Sequence, residues 1–196
     1  DVSGSLTVNG SDVTAGGGAS NLNGLSDCLM EDNSIYLGND PSSTTSTAQY
    51  NTAVGVNTLK SITTGDNNTA MGNDALGANQ YGSYNTAMGS HALGNKHGID
   101  SNPGSSYNTA MGSMASASSV YAQYNTSVGA WSLLHNRNGH ENTAIGFYSL
   151  TENLGSDNTA VGAEAGYKHT GDSNIFLGYK SGSSTAVSEN NKLYIN

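Results

Sequence analysis

The sequence predicts an all-β fold, a parallel β-solenoid or β-roll of about nine coils with 16–17 residues in each coil. Two features of the composition and one repeated motif support this prediction. Glycine supplies 26 of the 196 residues, about twice its usual share, while hydrophobic residues make up only 35%. A conventional core would need more than two Phe and one Trp. Many tight turns around a thin core fit this composition better.

The repeated motif is Asn-Thr-Ala-x-Gly, where x is Val, Met or Ile. Successive motif glycines are spaced by 17, 17, 17, 23, 17, 17, 16 and 16 residues when two degenerate copies, at 34–38 and 174–178, are included. A period near 17 is too short for helix pairs or propeller blades, but it suits one coil with two short strands and two turns. Seven clear copies begin at Asn51, Asn68, Asn85, Asn108, Asn125 (with Ser127 in place of Ala), Asn142 and Asn158.

Charge and composition argue against several classes of function. The net charge is −9 and only six residues are Lys or Arg, whereas nucleic-acid binding needs clustered basic side chains. No apolar run approaches the length of a membrane span, and no basic-then-apolar signal begins the chain. The single Cys28 excludes an internal disulfide framework and a multi-cysteine metal site. We therefore expect neither nucleic acid nor membrane insertion, and no cofactor.

The alternation of side chains along a strand predicts which residues face the core. The degenerate copies have apolar residues at alternate positions, as in Ile35 and Leu37, and these align with Thr and Val, Met or Ile of the clear copies. We therefore expect Thr52 and Val54 to face inward, and Ala53 to face outward in a flat strip that allows another copy to approach closely. The expected buried column is Val54, Met71, Met88, Met111, Val128, Ile145 and Val161.

The longer pattern Asn-Thr-Ala-x-Gly-x-x-Ala-Leu, as in 68–76 and 85–93, resembles the head repeats of trimeric autotransporter adhesins. These YadA-like heads are left-handed parallel β-rolls, and related repeats occur in tail-fibre proteins of bacteriophages and some large viruses. The resemblance covers about residues 33–182, although the period here is longer than is usual in YadA-like heads. It implies a homotrimer in an elongated fibre, with other fibre proteins as neighbours.

The resemblance also suggests three segments. Residues 1–30 are expected to form an N-terminal β linker to a fibre shaft, and residues 31–182 the β-solenoid. Residues 183–196 are similar to the β segment that precedes an intramolecular chaperone domain in many fibres, a domain that is cleaved or missing here.

The sequence favours a non-enzymatic protein. The acidic residues fall mostly in turns, and no Ser lies in a recognisable nucleophile elbow with a His partner, so no catalytic residue is assigned. The five His share no close ligand spacing, so no metal site is assigned either. The row of motif Thr resembles ice-binding solenoids, but the inward placement expected for Thr opposes that function.

The 23-residue spacing contains a predicted loop from Lys96 to Gly104. Insertions in solenoids map to loops on one face, and such loops often bind ligands. We assign receptor binding to this loop and to two aromatic residues that could stack on sugar rings. The assigned residues are Lys96, His97, Asp100, Asn102, Tyr121 and Trp131. A second set of aromatic residues, Tyr50, Tyr84, Tyr107 and Tyr124, is expected to stack and stiffen the rod.

The function expected from the resemblance is that of a distal tail-fibre segment, which attaches a phage or virus to a host cell surface through glycans or a surface protein. Two alternatives stay open, a structural spacer within a fibre and the head of a bacterial trimeric surface adhesin. The expected location is the virion tail fibre, or the bacterial cell surface for the adhesin.

Overall fold

A computed structural model describes residues 6–8, 11–13, 28–38, 41, 47–94, 105–183 and 188–196. None of these residues forms a helix long and apolar enough to cross a membrane. The strands are short, with three or four residues each. They are β1 Leu6–Val8, β2 Ser11–Val13, β3 Cys28–Glu31, β4 Ser34–Leu37, β5 Thr52–Val54, β6 Thr69–Met71, β7 Thr86–Met88, β8 Thr109–Met111, β9 Thr126–Val128, β10 Thr143–Ile145, β11 Thr159–Val161, β12 Ile175–Leu177 and β13 Leu193–Ile195.

Ten strands, β4 to β13, lie side by side in sequence order and pair in parallel. This sheet forms one side of a β-solenoid of about eight turns, so the predicted all-β parallel solenoid is confirmed, although about nine coils were expected. The described residues hold one short strand in each coil instead of the predicted two, because the segment after the motif glycine forms turns, as at 56–61. Strand β3 pairs with β4 in the antiparallel sense, across a tight turn at Asp32 and Asn33. Both turn residues have positive φ, as a two-residue hairpin of the I′ type requires. Strands β1 and β2 form a separate antiparallel pair.

Equivalent motif residues pair in register along the whole sheet, for example Thr52 with Thr69 and Ala53 with Ala70. The same register holds between β7 and β8, which are separated by the 23-residue spacing, because Thr86 pairs with Thr109. The six extra residues therefore leave the strand pairing unchanged. The predicted loop itself lies outside the described residues.

The motif Asn residues form a buried ladder that explains why each copy begins with Asn. The Asn51 side-chain carbonyl accepts a hydrogen bond from the backbone N–H of Asn68 at 2.9 Å, and the Asn51 amide donates to the carbonyl of Gly65 at 2.9 Å. The same two bonds recur from coil to coil, as in Asn142 with the N–H of Asn158 and the carbonyl of Gly155. Each Asn thus satisfies backbone groups that the turns leave without a strand partner.

The predicted inner and outer faces of the strands were wrong. Ala53 and its equivalents are buried, with at most 1% of their surface exposed, while Met71 is 47% exposed and Ile145 is 41% exposed. In the degenerate copy, Phe176 fills the core, and its apolar neighbours Ile175 and Leu177 face outward. The predicted buried column of Val, Met and Ile is therefore an outward column, and the small-residue strip lies in the core.

Alanine suits the core because the opposite side of the coil supplies the volume. Five buried leucines occupy equivalent places behind the strands: Leu59, Leu76, Leu93, Leu133 and Leu150. Where the strand residue is large, the opposite residue is small. An ideal Cβ added to Gly166 would lie 2.9 Å from the Phe176 ring, and one added to Gly182 would lie 2.5 Å from it. Phe176 therefore fills the space that the two opposite glycines leave, as close packing requires.

Two successive coils each replace one apolar core residue by a serine. Ser116 takes the place of the opposing leucine in the coil of β8, and Ser127 takes the place of the strand alanine in the next coil. Both are buried, and the Ser116 hydroxyl donates to the Ser127 hydroxyl at 3.0 Å. The two departures from the repeat thus compensate each other, because a buried hydroxyl needs a partner.

Candidate functional site

The outward face of the parallel sheet carries two straight columns of side chains. The first column consists mostly of Thr, and the second is aliphatic. Because the strands pair in register, equivalent side chains repeat about every 4.8 Å along the sheet. The members of the second column are Leu37, Val54, Met71, Met88, Met111, Val128, Ile145, Val161, Leu177 and Ile195.

This outward face is apolar along ten strands. At its C-terminal end even the threonine column becomes aliphatic, with Ile175 and Leu193. Several members of the aliphatic column are exposed by roughly two fifths of their surface, for example Met111 at 41% and Val161 at 40%. Soluble monomers rarely expose a contiguous apolar surface of this length. The face therefore has the character of a binding surface.

A second regular feature is a stack of tyrosines at the turn before the strands. The rings of Tyr84 and Tyr107 are 4.9 Å apart and nearly parallel at 5°, and those of Tyr107 and Tyr124 are 5.0 Å apart at 10°. The predicted stacking is therefore confirmed for these three residues. Tyr50 is separated from the stack by one coil, in which Asn67 occupies the same place. Because the stacked rings cover one another's faces, the stack presents ring edges and hydroxyls to solvent.

The turn after the strands holds a corner column with one residue from each coil. Its members all have φ between 54° and 59°, so the backbone directs each side chain in the same way whatever its type. The chemistry of this corner column changes along the rod, from charged residues to aromatic residues and back to charged ones. The members are Asn57, Asp74, His91, Met114, Trp131, Tyr148, Glu164 and Lys180.

The aromatic part of the corner column forms a cluster with its neighbours. The rings of Trp131 and Tyr148 are 4.8 Å apart, and the Trp131 indole N–H donates to the sulfur of Met114 at 3.0 Å. Phe147 packs edge-on against Tyr148 with 4.5 Å between ring centroids and an interplanar angle of 87°. The ring of Tyr167 also lies nearly perpendicular to that of Tyr148, with 6.1 Å between centroids and an interplanar angle of 79°. The aromatic cluster therefore consists of Trp131, Phe147, Tyr148 and Tyr167.

A surface pocket of about 280 Å³ opens at this aromatic cluster, lined by Phe147, Tyr148, Glu164 and Tyr167. The Glu164 carboxylate lies 3.6 Å from the Lys180 ammonium. A hydrogen bond with Tyr179, followed by the charge of Glu164, raises the pKa of Lys180. The pocket thus combines aromatic walls with one carboxylate that has an exposed, weakly held counter-ion.

The charged part of the corner column lies towards the N-terminal end of the sheet. The Lys60 ammonium donates a hydrogen bond to the Asp74 carboxylate at 2.9 Å, and His91 Nε2 lies 3.6 Å from the same carboxylate. The hydrogen bond from Lys60 lowers the pKa of Asp74 below its usual value. Lys60 and His91 therefore both face the Asp74 carboxylate.

The structure places two of the six predicted receptor-binding residues. Tyr121 is exposed at the turn before β9, and Trp131 lies in the corner column after β9, so the strand separates them. The structure therefore does not bring these two residues into one site. The other four predicted residues, Lys96, His97, Asp100 and Asn102, lie outside the described residues and stay a prediction.

Sequence reasoning selected Trp131 but missed the residues around it. Phe147, Tyr148, Glu164 and Tyr167 were not assigned to any site. The signal was available in the repeat, because Tyr148 follows Trp131 by one period of 17 residues and therefore occupies the next place in the same column. Tyr167 could not be found in this way, because it comes from a different part of its coil.

Among the described residues, no group of three or more His, Cys, Asp or Glu side chains is arranged to hold a metal ion. Neither a protein-family model, nor a curated protein, nor a solved structure matches this chain. The resemblance to YadA-like head repeats therefore stays a prediction from the motif.

Proposed function

We propose that this chain is a distal tail-fibre segment, in which three copies pack through their outward sheet faces and attach a phage or virus to a host cell surface through glycans. The observation that carries the proposal is the outward face, whose aliphatic column runs along ten strands and is exposed on seven of them. Three such faces can meet around one axis and bury the aliphatic column of each chain. The alternation along the strands supports this geometry, because in the seven clear copies of the motif the inward residue is Ala or Ser and the large apolar residue faces outward.

The expected gain from such packing is substantial. Burying on the order of 50 Å² of apolar surface on each aliphatic side chain contributes roughly 1 kcal/mol per residue. The column repeats in every coil, so the gain grows with the length of the rod. A thin single coil buries little apolar surface of its own, and association therefore supplies stability that one chain lacks.

Light scattering of the folded protein tests the assembly. The full chain is expected to show three times the chain mass of 20.0 kDa. Ile145→Asp places a charge on the outward face and is expected to yield a folded monomer, because Ile145 is 41% exposed in the single chain. The matched control is Asn138→Asp, which adds the same charge at an exposed turn and is expected to remain trimeric.

A monomeric wild-type chain would overturn the proposed fibre. An Ile145→Asp variant that stays trimeric would show that the outward face is not the interface. Loss of folding in this variant alone, with Asn138→Asp intact, would mean that the single chain cannot fold without its partners.

Surface attachment is a separate part of the proposal. It is supported by the exposed aromatic residues Tyr81 and Tyr121, because such rings stack on sugar faces. Glycan-array binding by the trimer, compared with Tyr121→Ala and Trp131→Ala, tests this part.

Deleting six residues from the predicted loop at 96–104 tests the loop and restores the 17-residue spacing. Trimers that bind no cell surface would favour the structural spacer within a fibre. The sequence that flanks this chain would distinguish a tail fibre from the head of a bacterial adhesin.

The outward threonine column favours ice binding as a second candidate function. The inward placement that argued against it was wrong, since Thr52 and Thr69 are exposed on the sheet. A flat array of hydroxyls and methyl groups at regular spacing could order water. The exposed Met and Ile beside it favour protein packing instead. Thermal hysteresis by a monomeric wild-type chain would select the ice-binding function, and a trimer without hysteresis would exclude it.

A further inference from the structure

We propose that the pocket at the aromatic cluster binds a quaternary or methylated ammonium group, with Phe147, Tyr148 and Tyr167 as aromatic walls and Glu164 as the counter-charge. This goes beyond the fibre proposal, because it concerns a small cationic ligand and requires only the folded chain. The pocket volume of about 280 Å³ accommodates a trimethylammonium head group with part of its chain.

The first argument is the arrangement of the walls. Tyr148 meets Phe147 at 87° and Tyr167 at 79°, so its two neighbours both stand nearly perpendicular to it. Perpendicular rings present faces and edges around one volume, whereas a sugar platform needs one open ring face with hydrogen-bonding groups around its rim. Aromatic cages of this kind recognise quaternary ammonium ligands through the negative potential of the ring faces.

The second argument is the polarity of the lining. Among the four lining residues, the only polar side-chain groups are two phenol hydroxyls and the Glu164 carboxylate. A pyranose would bring several hydroxyls that need donors and acceptors, and most of them would be left without a partner. A trimethylammonium group donates no conventional hydrogen bond and requires only negative potential, which the carboxylate and the rings supply.

The third argument is that this surface already attracts ammonium groups of its own chain. The Lys168 ammonium lies 5.3 Å from the centroid of the Tyr167 ring, and the Lys180 ammonium lies 5.1 Å from that of Tyr179. Lys180 also lies 3.6 Å from Glu164. This exposed ion pair is weak, so a ligand cation that enters the cage can replace Lys180 beside the carboxylate.

The test uses Trp131, the single tryptophan of the chain, as a fluorescent reporter, because its ring packs against Phe147 and Tyr148. Choline chloride and tetramethylammonium chloride are titrated into the full-length protein, with NaCl at equal ionic strength. The neutral carbon isostere of choline, 3,3-dimethylbutan-1-ol, is the matched ligand control. We expect saturable quenching by both cations and at least ten-fold weaker binding of the isostere, with calorimetry giving the same order.

Three variants sharpen the test, two that are expected to weaken choline binding and one that is expected to strengthen it. Glu164→Gln removes the counter-charge and is expected to weaken choline binding about five-fold. Lys180→Met removes the competing ammonium and is expected to strengthen binding about two- to three-fold. Tyr167→Leu removes one wall and is expected to weaken it more than ten-fold. Thermal melting checks that each variant is folded, and Asn138→Ala serves as a surface control.

Equal binding of choline and its neutral isostere would overturn the proposal, because the pocket would then be merely apolar. Quenching by N-acetylglucosamine or galactose without quenching by choline would overturn it in favour of a glycan site. The absence of saturable quenching with every probe would also overturn it.

Discussion

The residues of the strand columns are nearly constant from coil to coil, whereas those of the corner column change, although each column takes one residue from every coil. Along the strands, the Asn, Ala and Gly places are nearly invariant between Asn51 and Gly162. Along the corner column, no two members are the same amino acid. The backbone is regular in both, since φ at the corner varies by only a few degrees.

This difference separates the residues that stabilise the rod from the residues that determine which groups its surface presents. The strand places are constant because their side chains contact backbone and core in the next coil. The corner side chains project outward and contact mainly one another, so the coil tolerates Asp74, Trp131 or Glu164 there. Substitutions in the strand columns are therefore expected to change stability, and substitutions at the corner are expected to change binding.

The largest loss of stability is expected for Gly112→Ala. Gly112 has φ 136°, and an added Cβ would lie 2.6 Å from the carbonyl oxygen of Gly129 in the next coil. Backbone strain and the steric clash together are expected to cost about 4 kcal/mol. The measurement is urea unfolding at fixed protein concentration. The neighbouring exposed Ser113→Ala is the control and should lose little, and a loss below about 1 kcal/mol in Gly112→Ala would contradict the close approach.

A smaller loss is expected for Asn142→Ala in the asparagine ladder. The change removes the acceptor of the backbone N–H of Asn158 and leaves that buried group without a partner. Including the cavity, the expected cost is about 2–3 kcal/mol in the free energy of unfolding. Asn138→Ala, at an exposed turn, should be nearly neutral in the same urea experiment. Equal effects of the two variants would show that the ladder does not stabilise the coil.

The serine pair offers a test of compensation within the core. Ser127→Ala leaves the buried hydroxyl of Ser116 without its partner and is expected to cost about 1 kcal/mol. The double variant Ser116→Leu/Ser127→Ala restores the apolar pair found in the other coils, and it is expected to be more stable than either single variant. A double-mutant cycle measures this coupling. Additive effects would show that the two positions are independent.

The smallest expected effect is a pH dependence that comes from His169. This side chain is 1% exposed, its Nδ1 accepts the N–H of Gly171, and burial lowers the pKa of His169. The unfolded chain therefore binds a proton more readily, and stability falls as the pH drops below the ordinary His pKa of 6.5. The loss is at most about 1.4 kcal/mol per pH unit. The melting temperature of His169→Gln should show less loss between pH 7.5 and 5.5, and an unchanged slope would exclude His169 as its source.

The regular part of the fold could be predicted from the sequence, because the spacing of the motif sets the length of one coil. One strand in each coil, the parallel pairing and the stacking of Tyr84, Tyr107 and Tyr124 followed from that spacing. The second strand expected in each coil was wrong, because the described residues there form turns, as at 56–61. The aromatic cluster could be predicted only in part. Trp131 was selected by residue type, and the period places Tyr148 and Glu164 in the same column. Tyr167 reaches the pocket from a different place in its coil, which the motif does not encode.

The direction of the side chains was decided by the tertiary structure alone. Alternation along a three-residue strand allows two answers, and the apolar copies around Ile35 and Ile175 favoured the wrong one. The opposite side of the coil decides which strand residue faces the core. A buried leucine there leaves room only for alanine, whereas Gly166 leaves room for Phe176. The motif by itself determined that a coil forms and that coils stack in register. The volume across the coil determined which face is the core, because a close-packed interior must be filled from both sides.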